Sequence, residues 1–332
     1  MRRHGFARAD LASAIVMLAI AAALILCAGR QMRQQQMTAS SLSQLRWIAG
    51  ATASYAADNG DRFWSFSWTA GPTPSAYPDL QFASSNFAAV AMQATDILRR
   101  RSGRDDLPLP GSWLPHPLYN HLPLVDYLGE ALPAFKLIAP ADKYRLAWAR
   151  DPAAFDRGEF LPFQPDPSDL NKRWVYTPSY QIPAAMWDLS DVGLRISQAA
   201  THQSYAVPAG AIYAGAAIDD ARFPSQKVMV HDMEQRTLGP RPLYCVEEAA
   251  RTATLMADGA AGIRPTRSAN YGWLPNRPTS VAWTRYQYAP SPWEAPTSTG
   301  EPGVRVDGHY RWTRGGILGR DFGGPEIDTG QP

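Results

Sequence analysis

The chain has 332 residues, 45% of them hydrophobic and 19% charged, which excludes a disordered chain and is enough for one large folded domain or two smaller ones. Its 32 basic and 30 acidic residues leave a formal net charge of +2, which provides no overall field for binding nucleic acid. The 29 prolines and 25 glycines predict a body that is rich in loops.

The cysteine count is too low for a structural zinc site with four cysteine ligands, because only Cys27 and Cys245 are present. Cys27 lies inside the longest apolar run of the chain, so we do not expect a disulfide between the two. Any folded domain after that run must therefore hold itself together by packing.

The apolar run covers residues 11–28, which contain no charge. As a helix these residues span about 27 Å, close to the hydrocarbon thickness of a bilayer. Basic residues flank the run on both sides, at Arg2, Arg3, Arg8, Arg30 and Arg33. Under the positive-inside rule this distribution mildly favours a cytoplasmic N-terminus. The segment is predicted to span a membrane once.

Two other interpretations of this segment stay open: a secretory signal that is removed, and a simple membrane anchor. A removed signal has an apolar core of about 7–15 residues followed by a small-x-small cleavage site. Residues 27–29 match such a site poorly. Leu26 stands where a lipoprotein signal would have a small residue before its cysteine, which argues against a lipid anchor at Cys27.

The first ten residues contain a further pattern: a short basic leader that ends in Gly5, then Phe6, an acid at Asp10, and the apolar helix. This pattern resembles the prepilin leader of type IV pilins and type II secretion pseudopilins, with aspartate where that family usually has glutamate. The resemblance implies a leader over residues 1–5 that a prepilin peptidase removes, and methylation of the new N-terminus at Phe6. It also implies that Asp10 pairs with that amine on a neighbouring pilin-like subunit.

The apolar helix is expected to continue beyond the membrane. Residues 30–58 contain no proline, and one face repeats at steps of three and four: Leu42, Leu45, Ile48, Thr52 and Tyr55. This predicts a continuous helix from about Leu11 to Ala57, roughly 70 Å long, ending in a turn at residues 58–61. The acids of residues 58–61 do not have the spacing of an EF-hand calcium loop, which ends in a glutamate, so a helix end and turn is preferred over a calcium site. The N-terminal helix is thus assigned to residues 6–58.

Residues 59–332 are expected to form an α+β head with an antiparallel sheet and many loops. A helix is predicted over 85–101, capped by Ser85 and ending in Arg99-Arg100-Arg101. The helix dipole favours cations at this C-terminal end. Four segments are rich in β-branched or aromatic residues and are predicted as strands: 174–182, 226–232, 252–258 and 304–313. Strands and helices do not alternate, which argues against a βαβ fold.

Two stretches resemble, more loosely, the large pseudopilin-like proteins with prepilin-type N-termini. They are the helix end and turn over residues 43–61, and residues 253–259, a predicted strand that ends in Ala257-Asp258-Gly259. A Cys-Pro-x-Asp sequence that those proteins often have mid-chain appears here as Ala139-Pro140-Ala141-Asp142. A histidine usually precedes their Asp-Gly pair by about ten residues, whereas this chain has Glu247-Glu248 there.

A search for catalytic chemistry gives few candidates. The best is His231-Asp232 at the end of a predicted strand, which we interpret first as a surface strand end. Adjacent acids point apart, so the pairs Asp219-Asp220 and Glu247-Glu248 are assigned to solvent. Most of the 11 tryptophans are expected in the core, with a surface-binding role for a few as a hypothesis: Trp273, Trp283 and Trp293.

The sequence therefore predicts a non-enzymatic structural subunit of a pilus or secretion pseudopilus, without metal or cofactor. It would be a single-pass protein of the inner membrane, with a cytoplasmic N-terminus and a head in the periplasm or on the cell surface. The alternative is a membrane-anchored periplasmic enzyme or glycan-binding protein. A buried cluster of His, Asp and Glu in a head pocket would favour that alternative, and a head with all polar residues at its surface would favour the first.

Overall fold

A computed structural model describes residues 8–110, 118–159, 162, 169–277 and 279–326. It has a long N-terminal helix followed by a head with small antiparallel sheets, so the α+β prediction is confirmed. Helix α1 spans Arg8–Asp58, and its 51 residues correspond to about 77 Å. The predicted turn follows it: Gly60 has a φ of 64°, and the Asp61 amide donates to the Ala56 carbonyl at 2.9 Å.

In the part of the head that the structure describes, two shorter α-helices and twelve strands follow. The helices are α2 (Asn86–Ser102) and α3 (Lys143–Arg150). The strands are β1 (Gly71–Pro72), β2 (Phe82–Ala83), β3 (Tyr180–Gln181), β4 (Ser197–Gln198), β5 (Tyr205–Ala206), β6 (Val228–Asp232), β7 (Glu234–Gln235), β8 (Leu243–Tyr244), β9 (Arg251–Met256), β10 (Ala261–Pro265), β11 (Arg285–Tyr288) and β12 (Val304–Asp307). Short 3-10 helices connect many of them, including Leu122–Tyr127, Asp169–Tyr176, His309–Trp312 and Gly316–Leu318.

The main sheet has four antiparallel strands in the order β10-β9-β6-β3. Strands β6 and β9 confirm two predicted strands, and β6 is buried along its whole length between its neighbours. A bulge lies between Val228 and Val230 where β6 pairs with β9. The C-terminal half of α1 packs across β9 and β10, so the sheet forms the platform on which the helix lies.

The other two strand predictions were only partly right. Residues 169–176 form a 3-10 helix, and only Tyr180–Gln181 of the predicted 174–182 strand pairs in the sheet. Pro178 has no amide hydrogen for a ladder, so an extended strand cannot run through it. After β12 the chain turns at His309, whose φ is 44°, and residues 309–312 form a 3-10 helix in place of the predicted strand.

Helix α2 follows its prediction closely. The Ser85 hydroxyl accepts from the Ala88 amide at 3.1 Å, and Gly103 ends the helix with a φ of 70°. Its three terminal arginines pair with aspartates, Arg99 with Asp79 at 2.8 Å and Arg100 with Asp96 at 2.7 Å among them. The three arginine charges are therefore each paired with an aspartate within the head. Cys27 and Cys245 are both free, as expected.

Candidate functional site at the helix–head junction

Helix α1 is divided into two halves with different surroundings. Residues 11–36 are exposed on every face of the helix. The later part is buried on one face, at Ser41, Leu45, Ile48, Ala51, Thr52 and Ala56. The exposed half carries the apolar run and is long and apolar enough to cross a membrane. Large apolar side chains stand clear of the head on every side of this half, Leu18 and Leu24 among them.

The residues predicted to carry function lie at the N-terminal end. Gly5 and Phe6 fall outside the described residues, so their processing stays a prediction. Asp10 is the third residue of α1. Its backbone is helical, which places it less than one turn before the exposed apolar run.

Polar contacts fix the second half of α1 to the head. The Thr38 and Thr237 hydroxyls lie 2.6 Å apart, and the Ser41 hydroxyl lies 2.8 Å from that of Tyr180. The Tyr180 hydroxyl also donates to Oε1 of Gln44 at 2.8 Å. Because these partners recur at intervals of three residues, they hold one face of the helix against the head in a single register.

Directly behind these contacts lies a buried network of five charged side chains: Asp142, Arg145, Asp232, Glu234 and Arg236. Arg236 contacts all three carboxylates, at 3.0 Å from Asp142, 3.0 Å from Asp232 and 2.8 Å from Glu234. Arg145 contacts Asp142 at 3.0 Å. The network thus has one more carboxylate than guanidinium groups.

Local structure explains how each member is placed. Asp142 caps α3, accepting from the Arg145 amide at 3.1 Å. Asp232 ends β6, and Glu234 and Arg236 follow at steps of two, which directs all three side chains to the same side of the chain. The network therefore ties α3 to β6 and β7 beneath the helix.

The surroundings separate the pKa values of the carboxyl groups. Burial raises the pKa of Asp142, but the guanidinium groups of Arg236 and Arg145 outweigh it and lower that pKa to about 2. For Glu234 burial dominates and raises the pKa to about 7, and for Asp232 it raises the pKa to about 6, in both cases partly offset by Arg236. Glu234 and Asp232, and not Asp142, therefore change protonation near neutral pH.

A small cavity of about 20 Å³ lies between α1 and the network. Its walls include Thr38 and Ser41 of α1 and the side chains of Asp232, Glu234 and Arg236. This volume matches a single water molecule, and the polar lining suits one. The junction between helix and head is therefore polar at this point, although apolar packing dominates farther along α1.

Several predictions about the head's polar and aromatic residues are corrected here. His231 and Asp232 do not lie at a surface strand end: both are buried, because β6 is an inner strand of the sheet. Burial lowers the pKa of His231 to about 3, so its ring is neutral at physiological pH. Trp273 and Trp293 are also buried.

Other residues that the sequence singled out lie at or near the surface. Trp283 is 38% exposed and stacks on Tyr271, with ring centroids 4.8 Å apart. Asp219 and Asp220 are exposed, Glu248 is exposed and Glu247 is half-buried, as their assignment to solvent required. Among the residues that the structure describes, no group of three or more His, Cys, Asp and Glu side chains is arranged to hold a metal ion.

The charged network itself was missed by sequence reasoning. Two signals point to it in retrospect: Asp142 ends the stretch 139–142, which keeps the Pro-x-Asp part of the pattern noted in the sequence, and charged residues recur at steps of two at Asp232, Glu234 and Arg236.

No protein-family model, curated protein or solved structure matches the chain. Neither of the two criteria set by the sequence is met in full. The head buries many polar side chains, Asp142, Asp232 and Glu234 among them, so its polar residues are not all at the surface. The described residues that line the cavity beside the network include Asp232 and Glu234 but no histidine. In the network each carboxylate accepts from a guanidinium group, and Asp142 and Asp232 also accept from backbone amides. Such an arrangement suits a junction that holds three elements together.

Proposed function

We propose that this chain is a non-enzymatic structural subunit of a pilus or secretion pseudopilus. The observation that supports it best is the division of α1, whose exposed apolar half continues without a break into a half that is packed on an antiparallel sheet. One helix thereby connects a membrane-compatible segment rigidly to the head.

The exposed half needs an apolar environment. A helix with apolar side chains on every side is stable in a bilayer or among other apolar helices, since its backbone hydrogen bonds are satisfied internally. The same surface can therefore be covered by lipid before assembly and by the helices of other subunits afterwards. A helix that serves only as a membrane anchor would stay covered by lipid and would not pack against the helices of other subunits.

The N-terminus supplies the remaining parts of the proposal. A prepilin peptidase would cleave after Gly5, and the new amine at Phe6 would be methylated. Asp10 is the acid next to the apolar run, and a carboxylate near hydrocarbon costs several kcal/mol unless a cation pairs with it. The Phe6 amine of a neighbouring subunit would be that cation. In the orientation that the positive-inside rule mildly favours, the N-terminus lies in the cytoplasm and the head in the periplasm, and the subunit is held in the inner membrane before assembly.

Two measurements test this function. Mass spectrometry of membrane-extracted protein is expected to find the N-terminus at Phe6, with the mass of one added methyl group. Asp10→Ala is expected to be inserted and cleaved but to be missing from sheared filament fractions, whereas Asp10→Glu assembles. Asp58→Ala is a matched control, because Asp58 is an exposed acid at the other end of the same helix.

The contrary results are distinct. An N-terminus near Arg30 would establish a removed signal. Normal assembly of Asp10→Ala would refute the pairing role. An uncleaved chain that never enters a filament would leave a membrane-anchored enzyme or glycan-binding protein as the better account.

A further inference from the structure

A second charged site lies on the opposite part of the main sheet and has no role in joining helix and head. Lys227, just before β6, is fully buried together with Thr313 and Asp321. The Lys227 Nζ lies 3.1 Å from Oδ2 of Asp321, 2.5 Å from the Thr313 hydroxyl and 3.2 Å from the Val228 carbonyl. The lysine and the aspartate thus meet in a site that is closed to solvent.

We propose that Lys227 and Asp321 are a modification site at which the two side chains condense to an intramolecular amide cross-link. The lysine Nζ attacks Cγ of Asp321, an N–Cγ bond forms, and the bond between Cγ and Oδ1 breaks. Of the three protons on the ammonium group, one stays on the amide nitrogen and two leave with Oδ1 as water. Charge and atoms balance, and the reaction needs no oxidant or second substrate.

Thr313 is placed to move the proton. Its hydroxyl accepts from Lys227 Nζ and donates to Oδ1 of Asp321 at 2.6 Å, so it bridges the nucleophile and the oxygen that leaves. Oδ2 stays, and it already accepts from the Val228 amide at 2.7 Å. A backbone N–H at that position stabilises the charge that develops on Oδ2 when Nζ attacks.

The site also fits the product. In the cross-link, the remaining N–H lies beside the Val228 carbonyl, and the carbonyl oxygen from Oδ2 lies beside the Val228 amide. Both polar groups of the new amide would therefore keep a hydrogen bond in the buried site. Loss of the two charges removes the penalty for burying an ion pair.

The backbone holds the two partners in position. The Asp321 amide donates to the Gln226 carbonyl at 2.9 Å, and the Asn270 amide donates to the Asp321 carbonyl at 2.9 Å. Burial also lowers the pKa of Lys227, although the carboxylate of Asp321 opposes this, and a lowered pKa favours the neutral amine that attacks. Orientation and exclusion of water are the two features that make such condensations feasible in a protein.

The test compares the measured mass of the purified chain with the mass calculated from its unmodified sequence. The full chain, purified from membranes, is expected to weigh about 18 Da less than its sequence after any N-terminal processing is counted. A tryptic digest should contain one branched peptide that joins the segments around Lys227 and Asp321, with no cleavage after Lys227. Lys136 and Glu130 are the internal control, since they lie 3.2 Å apart at the surface and are expected to stay unlinked.

Variants separate the chemistry from folding. Lys227→Arg keeps the cation and is expected to restore the full mass, because a guanidinium group does not form the amide. Thr313→Val is expected to leave an increased uncondensed fraction. A folded wild-type chain of full mass, cleaved by trypsin after Lys227, would overturn the proposal and leave a buried ion pair.

Discussion

Replacing Arg236 with methionine is expected to destabilise the head by about 3–5 kcal/mol, because it breaks a buried ion network by removing one partner. Arg236 is buried and lies within 3.0 Å of three carboxylates. Without it, Asp142, Asp232 and Glu234 share only Arg145. Methionine keeps most of the apolar stem, so the loss reports on charge more than on packing.

The effect should depend on pH with a defined sign. In the wild-type chain the pKa of Glu234 is about 7, above its ordinary 4.5, so the folded state holds more protons between these values. The free energy of unfolding therefore falls as the pH rises from about 4.5 to about 7. Glu234 accounts for at most about 3–4 kcal/mol of that fall, at about 1.4 kcal/mol per pKa unit.

Asp142 has the opposite sign, since its pKa is lowered to about 2 and its contribution is lost as the pH falls toward that value. In the Arg236→Met variant three carboxylates face one guanidinium group, so the gap between variant and wild type should widen from pH 5 to pH 8. Urea unfolding of the full chain in detergent, followed by tryptophan fluorescence at several pH values, measures the pH dependence of the wild-type stability and the stability gap to the variant.

Arg157→Met is the matched control. Arg157 also pairs with two acids, Asp151 at 2.6 Å and Glu159 at 3.0 Å, but on the surface. Surface ion pairs contribute little to the free energy of unfolding, so this variant should unfold at the same urea concentration as the wild type. If Arg236→Met is no less stable than Arg157→Met at pH 7, the network does not hold the junction together and the argument from burial fails.

Two further predictions use matched pairs within the chain. Leu45→Ala should lower the free energy of unfolding in urea by about 3–5 kcal/mol, because Leu45 is 0% exposed where α1 meets the head. Leu24→Ala, at a side chain that is 65% exposed, should leave unfolding of the head unchanged. Equal effects of the two substitutions would contradict the division of α1. Gly215→Ala should lower stability by at least about 2 kcal/mol, because an added Cβ would lie 1.7 Å from the Phe63 carbonyl oxygen. Gly50→Ala, with open space around its Cβ, should raise stability by about 1 kcal/mol, and calorimetry of the two variants would expose an error in either direction.

Sequence patterns predicted the elements that local chemistry determines. The periodicity of α1, its turn at residues 58–61 and the Ser85 cap of α2 each depend on residues within a few positions of one another. Strand β6 was predictable for the same reason. The 174–182 strand was only partly right, because its aromatic and β-branched composition was weighed above Pro178, which prevents a continuous ladder.

The buried network could not be predicted because its members meet only through the tertiary fold. Asp142 and Arg236 are 94 positions apart, and neither is unusual in its local sequence. The burial of His231 and Asp232 has the same origin, since pairing with β3 and β9 on either side encloses them. Composition alone treats such residues as surface, which is the ordinary place for charge.

The single register between α1 and the head has a geometric consequence for neighbouring copies. Each residue of a helix adds about 100° of rotation and 1.5 Å of rise. Ser41, Gln44 and Leu45 fix the head to the helix, while residues 29–36 between the apolar run and that contact are exposed. One residue added within 29–36 would turn the head by about 100° about the helix axis and present a different side to its surroundings. The number of residues in this short segment, more than their identity, therefore sets the direction in which the head faces.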